Sequence, residues 1–376
     1  MKLLSLFAVV CFLYQCASDP GDGLVFTHIL FRHGERNILT PYGPNDPFAD
    51  VKTYWPEGYG QLTSEGRRQQ YELGEYLAKR YKNLIGENGY HKNNIYVRST
   101  DVDRTLMSAA HTLAGMFPPL GKQAWNKDLG RKWQAIPIHT VPEVDDYVLY
   151  TIRPCPKYKT SYKAIFDTPE VEAVDREHAG LFKELTKFTG NPITKMSQIH
   201  LLYQTLEIEK SKGLNISQWA KNLVYKGSAM EKLINRKFGF YAKTKEMAKM
   251  RPGYLLKEIL ERFSKKANKT LDPDRSMYIY SAHDTTIAHV LNALNLYSKI
   301  WEPHSPPYSA CVFFELHRNK GKYHIEIYYK SEQGRDKKPL QPLKLLCGTK
   351  CPLDEFYRLY SDIIPTRDYD IECKLN

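Results

Sequence analysis

The feature that most constrains this chain is the segment Leu24–Arg36, LVFTHILFRHGER. An apolar, β-branched run stops abruptly at Arg32-His33-Gly34-Glu35-Arg36. That pattern reads as a buried strand carrying a histidine, flanked by arginines, to its carboxyl end. In open α/β sheets the carboxyl ends of the strands are where ligands sit. A neutral imidazole can attack phosphorus, and guanidinium groups grip phosphate oxygens bidentately. One segment therefore nominates a nucleophile and the class of its substrate.

The same arrangement of strand followed by polar cluster recurs twice. Asn94–Arg98 is a short strand leading into Arg98-Ser99-Thr100-Asp101-Val102-Asp103-Arg104, and Met277–Ser281 is a buried strand leading into His283-Asp284. Helical patterns lie between them. Thr63 or Ser64 caps a helix that places Tyr71, Gly74, Leu77, Tyr81 and Leu84 on one face. Ser99 or Asp101 caps a second, with Leu106, Ala109, Ala110, Leu113 and Phe117 on one face, ended by Pro118-Pro119. Ile136–Val141 reads as a further strand, Cys311–His317 and Tyr323–Lys330 as a hairpin turning at Asn319-Lys320-Gly321, and Pro352–Ile363 as a last helix. From 155 to 266 the strand signals fade into charged, helix-favouring sequence. The expected organisation is an α/β core (19–154 and 267–376), with a mostly parallel sheet flanked by helices, interrupted by a smaller helical cap (155–266).

If the three strand ends meet at one crevice, they supply what phosphoryl transfer needs. Arg32, Arg36 and Arg104 neutralise the equatorial oxygens, with His283 as a further donor. His33 lies in line as nucleophile. Asp284 protonates the leaving alkoxide, and the helix starting at Thr285 adds amide donors. Gly34, without a side chain, is expected to let phosphate approach the backbone. Arg98, Asp101 and Asp103 are expected to serve as caps and ion pairs. Each motif taken alone is more often a capping pair; the conjunction carries the argument.

Residues 1–18, with Lys2, an apolar run and small residues near Ala17, read as a secretory signal peptide. No later run is long and apolar enough to span a membrane, so no membrane anchor is expected. Cys11 and Cys16 leave with the leader, and Cys155, Cys311, Cys347, Cys351 and Cys373 remain, an odd number that leaves at least one thiol without an intramolecular partner. Cys347 and Cys351 are spaced to close a tight local loop. The sequons Asn215-Ile216-Ser217 and Asn268-Lys269-Thr270 agree with export. The net charge of +12 favours small anions, but the lysines are dispersed and no nucleic-acid motif stands out, so nucleic acid is not an expected partner.

RHGER (Arg32–Arg36), RSTDVDRTLMSA (Arg98–Ala109), YSAHDTT (Tyr280–Thr286), WPEGYGQLTSEG (Trp55–Gly66) and YELGEYLAKRY (Tyr71–Tyr81) together resemble the histidine acid phosphatases of the prostatic and lysosomal type, close to secreted insect acid phosphatases. The resemblance covers nearly all of the chain after the leader and is thinnest in the cap. It implies a histidine phosphatase fold and a phosphohistidine intermediate on His33. Asp284 would then be the proton donor, and Arg32, Arg36, Arg104 and His283 would hold phosphate. It implies no metal and no other cofactor. It also implies disulfides Cys155–Cys373 and Cys347–Cys351; the cap lacks the cysteine that normally pairs with one placed like Cys311. Relatives commonly form homodimers.

One departure concerns the loop after Arg36. The family motif continues to a proline two residues on, where this chain has Ile38. Proline would stiffen that loop, so its shape and the turnover rate come into question. Two functions follow. The first is a secreted phosphatase most active at about pH 4–6, because Asp284 must carry a proton and free Asp titrates near ~3.9 before an adjacent dianion raises it. The second is a secreted binder on the same scaffold that sequesters small mediators such as amines, lipids or anions, suggested by Ile38, the altered cap and 27 tyrosines.

Overall fold

The computed structural model describes residues 22–86, 89–130, 132–300, 305–331 and 339–375. The expected signal peptide lies outside the described residues. Seven strands form one sheet: β1 (Gly23–Arg32), β2 (Ile95–Ser99), β3 (Met277–Ala282), β4 (Cys311–Asn319), β5 (Lys322–Lys330), β6 (Gln341–Leu343) and β7 (Cys351–Pro352). Their order is β2-β3-β1-β4-β5-β6, with β7 on β5. The sheet is mixed. β2, β3 and β1 are parallel, whereas β4 to β7 add on antiparallel.

β1 is central because every residue from Phe26 to Arg32 is buried, which only a strand covered on both faces sustains. Alternation splits its side chains. Phe26 and Leu30 join a core shared with the helices of the insertion, among them Leu206, Phe238 and Leu255. Ile29 and Phe31 join the opposite core with Leu73, Leu77, Leu113 and Phe313. Helices occupy the insertion from Pro156–Phe166 to Gly253–Ala267. The β4–β5 hairpin turns at Lys320 and Gly321, at φ 49° and 76°, the positive pair that matches strand twist. The Cys155–Cys373 disulfide ties the start of the helical block to the chain's end, Cys347–Cys351 closes a local loop, and Cys311 is a buried free thiol.

Three local expectations are corrected. Ile136–Val141 makes no strand; it contributes a single bridge, His139 to Arg98, because Pro137 and Pro142 offer no amide to a ladder. The Asp103–Met116 helix is preceded by Val102 with no side-chain cap. Ser99 Oγ instead donates to the Thr100 carbonyl, and Asp101 is exposed. Arg98 does form ion pairs, but with Asp146 (2.6 Å) and Glu258 (3.6 Å) rather than with its neighbours Asp101 and Asp103.

Thr63 caps the Ser64–Arg80 helix, accepting from the Gly66 amide at 3.0 Å. That helix packs on Asp103–Met116 with almost no space between backbones. A Cβ on Gly74 would lie 2.0 Å from the Thr112 carbonyl oxygen, and one on Gly115 2.2 Å from that of Tyr71. Gly74→Ala must therefore push these helices apart. It should lower stability by about 1–3 kcal/mol, the usual cost of overpacking, read as an earlier urea midpoint; an unchanged midpoint would contradict this packing.

Candidate active site

Register brings the three polar clusters together. Arg32 pairs with Ala282, and Ser99 with Ser281, so the parallel strands end level. The His33 amide donates to Ala282 at 3.0 Å and the Thr100 amide to Ser281 at 3.2 Å. His33, Thr100 and His283 therefore leave the sheet side by side, with the two imidazole centroids 5.6 Å apart. Arg104 approaches from the first turn of the Asp103–Met116 helix. The six side chains singled out in the sequence (Arg32, His33, Arg36, Arg104, His283 and Asp284) share one crevice.

His33 is buried, and its Nδ1 lies 2.8 Å from the Gly34 carbonyl oxygen. A carbonyl only accepts, so Nδ1 carries the proton and Nε2 keeps the lone pair. Burial, then the charges of Arg104, Arg32, His283 and Arg36, hold its pKa well below the ordinary value. That shift favours the neutral ring, with its lone pair on Nε2.

Arg32 donates to the Pro306 carbonyl (2.7 Å), pairs with Asp284 (3.0 Å) and lies 4.2 Å over the Tyr308 ring. Arg36 donates to the Asn37 carbonyl (3.0 Å) and to Gln204 (2.9 Å). The Nε atoms of Arg32, Arg36 and Arg104 are buried without a hydrogen-bond partner among the described residues. Burial, then Arg36 nearby, brings Arg104 down to about 10, which still leaves it cationic. Pooled guanidiniums with unused donors form a site for an anion.

Asp284 opens the Asp284–Ala293 helix. Burial alone would raise its pKa, but Arg32, His200, Arg36 and His283 outweigh burial and hold it at about 2. Before any anion arrives this carboxyl is ionised and paired, not ready to donate. His283 Nε2 lies 3.0 Å from Thr100 Oγ1, which is 2.8 Å from Thr105 Oγ1. Thr105 spends its own proton on backbone carbonyls of Thr100 and Val102. The hydroxyl of Thr100 therefore points to Thr105 and accepts from His283. Burial, then Arg104, brings the His283 pKa down to about 3, so in the free site its Nδ1 is bare. Nδ1 becomes a donor to phosphate only when His283 is protonated.

Two sequence readings change here. Gly34 does not make room for phosphate: its Cβ would lie 2.3 Å from the Gly66 carbonyl oxygen, so the missing side chain admits the Ser64–Arg80 helix. Ile38 does not leave its loop loose. It is fully buried in a cluster with Trp55 and Ile208, and its carbonyl accepts from the Gly60 amide at 2.8 Å.

The helical insertion adds groups that sequence reasoning missed. Gln204 bridges the site, accepting from Arg36 and donating to Asp284 Oδ2 at 3.4 Å. His200 Nε2 is buried with no hydrogen-bond partner among the described residues, and burial, then Lys237, lowers its pKa to about 4. Burial also lowers Lys237 to about 8. Tyr308 and Tyr150 flank His33 and His283, with centroids 5.9 and 6.2 Å away. These residues lie in helices and loops without a motif around them, so only their placement identifies them.

Residues 23–330 match the model of the histidine phosphatase superfamily, branch 2. The chain belongs to that family. It is 36% identical to human lysosomal acid phosphatase over 362 residues, covering 94% of this chain and 80% of the relative. Against human prostatic acid phosphatase it is 34% identical over 370 residues, covering 98% and 92%. In fold it resembles a Hafnia alvei phytase in its apo form (TM-score 0.69, 16% identity, 96% of this chain and 100% of that one). A Klebsiella phytase is similar (TM-score 0.68, 18% identity, 94% and 99%). This histidine phosphatase is an enzyme of the phosphomonoester-hydrolysing class.

Gln204 fixes Arg36 and Asp284 relative to each other across the crevice. Gln204→Leu should lower kcat/KM for a phosphate monoester about tenfold, the size expected for a lost hydrogen bond to charged groups. Steady-state kinetics alongside an unchanged melting temperature would check this; unaltered kcat/KM would remove Gln204 from the site.

Proposed function

We propose that this protein is a secreted acid phosphatase working through a phosphohistidine on His33. The observation that carries the reading is the state of His33: neutral, its Nδ1 proton committed to Gly34, its Nε2 free among Arg32, Arg36 and Arg104. In the first step Nε2 attacks phosphorus as the ester P–O bond breaks, and the leaving oxygen takes a proton from Asp284. In the second, Asp284 accepts a proton from water as water attacks the phosphohistidine, releasing phosphate and restoring His33.

The proton count explains an acidic optimum. Asp284 is ionised in the free enzyme. The proton it donates must come with the substrate, and an ester monoanion carries one below its second pKa of about 6. Binding then spends the arginine charge on the phosphate, and the Asp284 carboxyl becomes basic enough to hold that proton. Activity should peak at about pH 4–6 and fall about tenfold per unit once the monoanion is depleted. A pH–rate profile that is flat to pH 8 would refute this account.

Secretion is supported by the leader pattern of residues 1–18, by two disulfides, and by exposed Asn215 and Asn268 in their sequons. No helix among the described residues is long and apolar enough to cross a membrane. Of the three features behind the sequestering alternative, Ile38, the altered cap and the 27 tyrosines, a fully buried Ile38 lends it no support.

His33→Ala should abolish turnover of p-nitrophenyl phosphate and the acid-labile phosphoryl label trapped by rapid quench. Asp284→Ala should slow alkyl phosphates by about 10²–10⁴-fold, the range for a lost general acid. It should largely spare p-nitrophenyl phosphate, whose leaving group needs no proton. Equal loss on both substrates would remove Asp284 from the donor role.

A further inference from the structure

The β4–β5 hairpin carries a cluster that the reaction does not use. His317 and His324 are directly opposite partners on neighbouring strands, and their rings stack at 5.3 Å with planes 20° apart. Glu326 lies two residues along β5. One ligand atom from each of the three falls within 4.8 Å of the others. All three side chains are 13–19% exposed, so a small ion can reach them while most of their surface is fixed by packing. His317 faces Leu24 at the start of β1, whereas the crevice opens after Arg32. At about 3.3 Å per residue, the two places are roughly 25 Å apart.

We propose that His317, His324 and Glu326 bind a divalent cation of the zinc class. The antiparallel register sets Glu315 opposite Glu326, and facing carboxylates repel. Glu315 is answered by Arg80 at 2.6 Å and the Tyr81 hydroxyl at 2.7 Å. Among the described residues Glu326 meets the Tyr328 hydroxyl, His324 at 3.0 Å and Lys350 at 4.0 Å. A cation held by Glu326 and both imidazoles would cancel the excess negative charge. Two nitrogens and one carboxylate oxygen form a donor set that suits zinc, and water fills the fourth position. A shared zinc needs bonds of about 2.0–2.1 Å, which small side-chain rotations supply. Glu315 Oε2, 3.1 Å from His317 Nε2, is placed as the outer partner that orients that ring.

The site is a clasp, not a second catalytic centre. It joins the ends of β4 and β5 beside β7, where His324 pairs with Pro352 next to the Cys347–Cys351 disulfide. Because the imidazoles must be neutral to bind metal, protons compete with the ion. Arg80 and Lys350 also oppose a cation, Arg80 less so because Glu315 already pairs with it.

The test uses the full secreted protein, stripped with chelator, and zinc sulfate as the probe in titration calorimetry. At pH 7.5 one equivalent should bind and raise the melting temperature. The double variant H317Q/H324Q should lose the binding while keeping native turnover of p-nitrophenyl phosphate, and H33A, altered only in the crevice, should keep the binding. No uptake by the native chain, uptake unchanged in the double variant, or uptake abolished by H33A would each overturn the proposal. If the double variant fails to fold, E326Q decides: affinity at least fivefold weaker supports the site, and unchanged affinity overturns it.

Discussion

Everything in the crevice follows from holding like charges together out of water. Arg32, Arg36 and Arg104 repel one another, and burial makes each charge more costly. They stay because the fold restrains them individually. Arg32 is gripped by the Pro306 carbonyl, the Tyr308 face and Asp284, and Arg36 by the Asn37 carbonyl and Gln204. A flexible crevice would relax by turning these groups to solvent. The rigidity has visible sources: a fully buried β1, the Gly34–Gly66 contact that wedges the Ser64–Arg80 helix against the Arg32–Arg36 loop, and Ile38 packed under the following turn. A bound tetrahedral anion would relieve this repulsion, which is what a preorganised electrostatic site requires.

The same charges bear on both key protonation states. Burial, then these charges, keeps His33 neutral, and the charges force Asp284 to ionise although burial pushes that carboxyl the other way. A bound phosphate reverses the second effect without undoing the first, because burial alone still disfavours imidazolium at position 33. In the proposed mechanism nucleophile and acid are thus prepared by one event. In the free state the Arg32–Asp284 ion pair closes the site on itself; a phosphate ester would compete for Arg32 and free the carboxyl as it binds.

The legible part of this structure was local. A strand ending in RHGER can be read from thirteen consecutive residues, because burial on both faces and an abrupt polar stop are sequence properties. The lone bridge at His139 was illegible as such: alternation suggested a strand, and two prolines overruled it. The starting point of the Asp103–Met116 helix is hard to read because Ser99 and Asp101 look like caps, whereas Ser99 donates to the Thr100 carbonyl, Asp101 is exposed, and Val102 precedes the helix without a side-chain cap. Gln204, His200 and Lys237 could not be read at all. Each is an ordinary residue of an ordinary helix until the insertion folds over the crevice and burial strips away its water. The sequence also gave no warning that the acid would be ionised at rest, since that depends on distances between segments some 250 residues apart, Arg32 and Asp284.

The histidines show how far position, rather than residue type, decides chemistry. His289 spends both ring nitrogens, on the Thr285 carbonyl and the Tyr158 hydroxyl, and is left with no role beyond packing. His28 Nε2 has no hydrogen-bond partner among the described residues, but the ring is enclosed by Phe26, Phe263, Tyr278 and Tyr280 mid-strand, away from the crevice. His33 and His283 each commit one nitrogen to the protein, to the Gly34 carbonyl and the Thr100 hydroxyl; in the proposed mechanism the other nitrogen of His33 is the lone pair for phosphorus. His317 and His324 stand on a rigid hairpin with carboxylates beside them and no reacting partner, the setting in which imidazole serves as a ligand. A histidine becomes catalytic here when one nitrogen is tied, the other is open, and the strand that bears it ends in a cavity of opposite charge to its substrate.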